Sequence, residues 1–259
     1  MVWLESITPE LIRTIFLLFL SFGSGVIDLS LGMGYGFTVT PLMLMMGFIP
    51  SEAVPAVLVS SLVGGLSSAI WNHRFQNVDF RINSQAFRIV AFTAGLGILG
   101  AIVGVLISFT LPERIVGLYI GSVVIASGVL VILSKNFISS FSWMKMSIIS
   151  LIGSLNKGLT GSGFGPIITT GAMLSGIDEK SSVSIQSLSE AAVSLVGFLT
   201  YVLMKGYVDY NIVSVMSLGV LFASPLAAYI VHRIDGRMLR IFVGVLAIVI
   251  GVSTIWKFA

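Results

Sequence analysis

Three ionisable side chains lie inside apolar stretches of the sequence. Asp28 and Lys157 each stand four residues before a glycine-rich segment, and Glu190 lies about ten residues into a long apolar run. An ionisable residue at the centre of a bilayer costs at least ~2.5 kcal/mol, so such residues usually face a cavity or a partner. A buried lysine can bind an anion, and a buried carboxyl group can carry a proton because desolvation favours its neutral form. The alternative hypothesis is an ion network that serves only the structure.

The two glycine-rich segments are copies of each other. Each has three glycines at alternate positions, and the second copy follows the first after 129 positions. An undisturbed helix disfavours such a run, so each segment predicts a helix break. At membrane depth the unpaired backbone groups of a break survive only against protein or a water-filled cavity. Two breaks at corresponding positions of two halves therefore predict the central site of a transporter. The glycines are Gly32, Gly34, Gly36, Gly161, Gly163 and Gly165.

The composition indicates an all-α polytopic membrane protein. Of the 259 residues 56% are hydrophobic and 10% are charged, whereas a soluble domain is about one quarter charged. The mean hydropathy is +1.05. Most of the charge-free runs approach or exceed the roughly 20 apolar residues that span a bilayer core. These runs cover residues 53–72, 89–112, 115–134, 191–204, 210–232 and 241–256.

Charge and cysteine content exclude several classes. The net charge of +3 is dispersed among loops without a basic stripe, which argues against a nucleic-acid partner. The chain has no cysteine, so disulfides, thiolate metal sites and a cysteine nucleophile are excluded. The two histidines fall at predicted helix ends, so neither a metal site nor a serine–histidine enzyme is expected. No cofactor is predicted.

Two repeats account for the whole chain. The first covers residues 1–134, a loop follows at 135–145, and the second repeat covers 146–259. Each repeat has a helix, a glycine break, a short apolar segment (37–48 or 165–176) and three spans. The short segments, of about 12 residues, are too short to cross a bilayer comfortably. Each therefore either crosses together with the preceding helix or forms a re-entrant hairpin, which gives 8 to 10 membrane segments.

The distribution of lysine and arginine predicts the orientation. Basic residues concentrate in the loops at 74–88, 135–145 and 233–240, which places these loops in the cytoplasm. Both chain ends then lie outside, and the loop at 205–209 is outside although its counterpart at 73–80 is inside. The two repeats are therefore predicted to be inverted.

Residues near the breaks complete the predicted site. Threonines begin the short helices, whose N-termini carry a partial positive charge that favours an anion. Gln186 lies one turn before Glu190 on the same helix face. The predicted substrate contacts are the six glycines with Thr38, Thr40, Asn156, Lys157, Thr169 and Gln186. Coupling or gating is predicted for Asp28, Glu190, Tyr35 and Phe164, although both aromatic rings could equally pack.

These motifs resemble the sulfite exporter TauE/SafE family of membrane permeases. The matching features are the twin Gly-x-Gly-x-Gly breaks, Pro41 closing the first, the turns at Gly47 and Gly176, and Ser60 with Ser61 after them. The resemblance spans essentially the whole chain. It implies alternating-access transport of a small sulfur-containing anion, such as sulfite or sulfoacetate, across the plasma membrane and often outward.

The sequence departs from the family's pattern at three positions. Tyr35 and Phe164 stand where glycine is common, and Thr170 replaces the proline of the second break. These departures bear on the substrate, not on the class. The expected partners are a small anion, the lipid bilayer and a coupling proton or cation. The sequence is also compatible with a homodimer. An uncoupled anion channel is the alternative, and an intramembrane protease using Asp28 and Glu190 is a remote one.

Overall fold

The computed structural model describes residues 9–133, 142–205, 208–233 and 237–259, and these residues form helices joined by short connections. Most of the predicted inter-repeat loop lies outside the described residues. The order of long and short helices in residues 9–133 recurs in the rest of the chain. The helices are α1 (Pro9–Leu31), α2 (Tyr35–Met45), α3 (Pro50–Arg74), α4 (Gln85–Thr110), α5 (Glu113–Leu133), α6 (Trp143–Thr160), α7 (Phe164–Leu174), α8 (Glu179–Lys205), α9 (Tyr210–Arg233) and α10 (Arg237–Phe258).

Each short helix turns back along the helix before it. The guanidinium group of Arg13, near the start of α1, lies 3.8 Å from the ring centre of Phe48, which follows α2. In the second half Met146, near the start of α6, shares a hydrophobic cluster with Ile177, which follows α7. The end of each short helix therefore lies beside the start of the long one. Of the two arrangements that the sequence left open, the contacts favour the hairpin.

The packing of the helices repeats between the halves. α5 packs along α10 and α3 packs along α8, so each of these helices contacts its own counterpart. α1 packs along α9, and α6, the counterpart of α1, packs along α4, the counterpart of α9. This exchange of partners is the pattern that a two-fold relation between the halves produces.

The counterparts run antiparallel to each other. Along the α3–α8 contact, a Cβ added to Gly197 would lie 3.2 Å from the Leu58 side chain, and one added to Gly65 would lie 2.9 Å from Ala191. The position on α8 thus falls as the position on α3 rises. The Nε of Arg114, at the start of α5, donates to the Phe258 carbonyl at the end of α10 over 2.9 Å.

The outer faces of the helices are apolar. Among the described residues, large hydrophobic side chains stand exposed on several helices, for example Phe19 at 68%, Leu203 at 85% and Trp256 at 84%. Apolar surface of this extent requires a covering partner, and lipid supplies one. Five described segments are long and apolar enough to cross a bilayer: Leu11–Leu31, Pro50–Arg74, Gln85–Thr110, Glu179–Met204 and Tyr210–Arg233.

Single cysteines test the orientation of the halves, since the chain contains none of its own. Ile82, after α3, is 77% exposed, and Tyr210, after α8, is 67% exposed. Because α3 and α8 are antiparallel, we expect Ile82→Cys and Tyr210→Cys to react with a membrane-impermeant maleimide from opposite sides. Ala259→Cys, at the end of α10, serves as a control and should react from the same side as Tyr210→Cys. Reaction of Ile82→Cys and Tyr210→Cys from one side would contradict the inverted arrangement.

Candidate functional site

The two glycine breaks lie in backbone contact. A Cβ added to Gly36 would overlap the carbonyl oxygen of Gly161, and one added to Gly165 would overlap the backbone nitrogen of Gly34. Only glycine lets two backbones approach so closely. The third glycine of each triplet is therefore explained by contact with the other half.

The first two glycines of each triplet allow the chain to turn. Gly32 and Gly34 have φ of 65° and 88°, and Gly161 and Gly163 have φ of 70° and 80°. Side chains disfavour this left-handed region, whereas glycine enters it freely. The long helix can therefore end and the short helix begin within a few residues.

Asp28 caps the start of α2. Its Oδ1 accepts the backbone N–H of Gly34 over 2.6 Å. Side chains at helix starts satisfy donors that have no partner within the helix, and a negative charge there is favoured by the helix dipole. Asp28 is 2% exposed. The carboxylate thus occupies the position at which an anion would bind the first break.

Lys157 stands at the counterpart of Asp28 and contacts different residues. Its Nζ donates to Glu190 Oε1 over 2.6 Å and to Ser61 Oγ over 2.7 Å. The other carboxylate oxygen of Glu190 accepts the side-chain amide of Gln186. The Lys157 side chain is fully buried and that of Glu190 is 3% exposed. The charged partner of Lys157 is therefore Glu190.

The buried charges do not balance. In the described part of the chain the only buried charged side chains are Asp28, Lys157 and Glu190. Asp28 is within electrostatic reach of both others. One ammonium group therefore faces two carboxyl groups, and a buried charge without compensation is strongly disfavoured. An additional proton on one carboxyl group would balance the cluster.

The threonines serve the two breaks differently. Thr169 Oγ1 donates to the Gly32 carbonyl over 2.8 Å, so it ties α7 to the first break. Thr40, its counterpart, lies beside Gly161, but its buried hydroxyl has no hydrogen-bond partner among the described residues. Thr38 is buried as well. Only Thr169 therefore has a structural role in the contacts described.

Both aromatic residues at the helix starts are packed. The Tyr35 hydroxyl lies 2.6 Å from Ser21 Oγ, and the ring is fully buried. Phe164 is fully buried too, in a cluster with Ile168 and Val193. Their predicted gating role stays a prediction.

The structure adds residues that the sequence reasoning did not assign. Ser61 stands 129 positions before Glu190 and is its counterpart in the first repeat. The repeat could therefore have indicated that both side chains contact Lys157. Tyr119 on α5 donates to the side-chain oxygen of Asn156, which places Asn156 beside the second break. Ser162, inside the second break, has a buried hydroxyl without a partner in the described structure. No pattern in the sequence distinguishes Tyr119 or Ser162.

Two cavities of about 440 Å³ lie at equivalent positions of the halves. Asp79 and Ser84 line one, and their counterparts Asp209 and Ser214 line the other. The first cavity also contacts the turn after α7, and the second contacts Phe48 after α2. Each cavity therefore opens beside the outer end of one helical hairpin.

Similarity to known proteins extends over nearly the whole chain. A family model described as sulfite exporter TauE/SafE matches residues 17–254. The chain is 27% identical over 250 residues to a protein of Bacillus subtilis (strain 168) named probable membrane transporter protein YtnM. This alignment covers 92% of the chain and 81% of the relative.

The contact between the breaks predicts the effect of adding one methyl group. Gly36→Ala must displace α2 from the Gly161 carbonyl, and overpacking of this kind typically costs about 1–3 kcal/mol of unfolding free energy. We expect a lower midpoint of thermal unfolding and loss of transport. Gly23→Ala on α1 is the matched control, because a Cβ there meets nothing within 4 Å. Equal stability and activity of the two variants would show that the breaks tolerate separation.

Proposed function

The chain belongs to the sulfite exporter TauE/SafE family and is a multi-pass membrane transporter, and we propose that it exports a small sulfur-containing anion across the plasma membrane. Sulfite and organosulfonates such as sulfoacetate are the substrates proposed. One observation carries this proposal: a fully buried lysine, Lys157, accepts at its carbonyl the backbone N–H of Gly161, the residue of the second break that contacts Gly36 of the first. Function is proposed to centre there, near the membrane midplane.

The chemistry of Lys157 suits an anion. Hydrogen bonds between ionised partners are short and strong, and a low local dielectric strengthens the attraction further. Sulfite and sulfonates present several acceptor oxygens to the three donors of an ammonium group. The hydroxyl of Ser61 and the amide of Gln186 lie next to the same charge cluster and supply further polar contacts.

Glu190 competes with the substrate for Lys157. While the carboxylate holds the ammonium group over 2.6 Å, an incoming anion meets a neutralised cation. Protonation of Glu190 removes this competition and leaves Lys157 available. An anion and a proton would thus enter the site together. We propose that transport is coupled to a proton in this way, with Asp28 remaining at the start of α2.

The two-fold exchange of helices supports a mechanism of alternating access. We propose that residues 1–134 and 146–259 are inverted repeats and that both helical hairpins are re-entrant. The antiparallel packing of α3 on α8 and of α5 on α10 supports this arrangement. The two equivalent cavities then lie toward opposite membrane faces. Transport would open the central cluster toward one cavity and then toward the other.

Lys157→Ala tests the binding role of the lysine. Loss of a charged hydrogen-bond donor costs about 1.5–3 kcal/mol, so we expect the affinity for sulfite or sulfoacetate to fall by roughly tenfold or more. Titration calorimetry on the purified protein, with taurine, sulfate and carboxylates as further ligands, measures this change. Lys180→Ala, at the exposed start of α8, is the matched control and should bind as the unchanged protein does. Unchanged affinity in Lys157→Ala would refute the proposed site.

Glu190→Gln tests the coupling role of the carboxyl group. The neutral amide cannot titrate, so we expect anion binding to persist while transport into proteoliposomes loses its pH dependence. Glu113→Gln, in the first turn of α5, is the control. Normal pH dependence in Glu190→Gln would place the coupling elsewhere.

If the reversal potential of the unchanged protein follows the anion gradient alone, the protein is an uncoupled channel.

A further inference from the structure

We propose that the two helix breaks are chemically unequal and that the anion binds only at the start of α7. The equivalent place at the start of α2 is filled by the side chain of Asp28. This inference rests on the proposed function, since it specifies where in the central site the transported anion lies. It assigns substrate contact to Ser162, for which the repeat provides no polar counterpart.

At the first break, the anion position is filled by a carboxylate side chain of the protein itself. The carboxylate of Asp28 accepts the backbone N–H of Gly34, and it lies nearly fully buried at the start of an 11-residue helix. A carboxylate held in this way satisfies the free donors and the partial positive charge of the helix start. A transported anion at this place would have to displace it. The first break is therefore closed to substrate.

The second break has the same donors without an acceptor. The counterpart of Asp28 is Lys157, and its ammonium group can only donate. Within the described structure the backbone N–H groups of Gly163, Phe164 and Gly165 have no hydrogen-bond acceptor. Pro166 follows them and has no N–H. Three consecutive donors thus lie at the start of α7, which also has 11 residues.

Buried side-chain groups add to these donors. The hydroxyl of Ser162 belongs to the same turn, is on a residue 1% exposed, and has no partner in the described part of the chain. A buried hydroxyl without a partner is unfavourable, and in this turn it is available to a ligand beside the free backbone N–H groups. A Cβ added to Gly163 would lie 3.6 Å from the side-chain nitrogen of Asn156, so this amide borders the turn. Tyr119 donates to the other atom of that amide, which orients the nitrogen as a donor.

The first break lacks these additional groups. Met33 occupies the place of Ser162, and Ile27 occupies the place of Asn156. These differences between the two breaks point in one direction. The first break has an internal carboxylate and apolar neighbours, whereas the second has a nearby cation and polar donors. The ligand that fits is a small oxyanion with several acceptor oxygens, which matches sulfite and the sulfonate group.

Ser162→Ala in the full-length protein tests this assignment. Because a hydrogen bond to a charged ligand is lost, we expect the dissociation constants for sulfite and sulfoacetate to rise roughly tenfold. Ser175→Ala is the matched control: it also removes a buried hydroxyl without a described partner, but from the other end of α7. The control should bind both anions with unchanged affinity. Equal affinities of Ser162→Ala and the unchanged protein would overturn the proposal.

Asn156→Asp provides a second test by an isosteric change. The new carboxylate can still accept from Tyr119, but it removes a donor and places a negative charge at the second break. We expect binding of both anions to be lost, and retained binding would overturn the assignment. Lys157→Ala distinguishes failure of the transporter proposal from failure of the assignment of the anion site to α7. If it loses binding while Ser162→Ala and Asn156→Asp do not, the transporter proposal stands and the assignment to α7 fails. If the unchanged protein binds none of the anions, both fail.

Discussion

The rest of the structure depends on the close backbone approach of the two glycine breaks. Gly36 fits against the Gly161 carbonyl and Gly165 against the Gly34 nitrogen only because neither glycine has a side chain. This contact fixes where two long helices end and two short helices begin. Helix breaks inside a bilayer need protein or water around their free backbone groups, and here each break is covered by the other. The helical hairpins, the antiparallel pairs of counterpart helices and the buried charge cluster are all arranged about this contact.

The buried charges make the two halves, which share the same order of helices, chemically different. Two halves with the same order of helices place Asp28 and Lys157 at equivalent positions, and these side chains have opposite charges. The carboxylate closes one helix start, while the ammonium group pairs with Glu190 and leaves the other helix start without an acceptor. Because two carboxyl groups face one cation, the cluster has a place for a proton. In our account the protein uses this imbalance to take up an anion and a proton together.

Much of this arrangement could be predicted from the sequence, and the reasons for the remainder are physical. The alternate glycines predicted both breaks because no other residue type tolerates such turns and contacts. Charge-free runs predicted the long helices, because a bilayer core sets their length. The repeat relates Ser61 to Glu190, but helical periodicity could not identify either as a partner of Lys157, because they lie on α3 and α8 and periodicity relates only residues on one helix. Hydropathy could not distinguish a hairpin from two crossings, whereas the position of Phe48 beside Arg13 favours the hairpin.

The central claim is that an anion can occupy the site only when the cluster gains a proton. Proton uptake on binding tests it most directly, measured by calorimetric titration in buffers that differ in ionisation enthalpy. An organosulfonate is the suitable ligand, since its sulfonate group stays ionised and the protons counted then belong to the protein. We expect close to one proton to be taken up per anion bound. Binding without any proton uptake would contradict this claim.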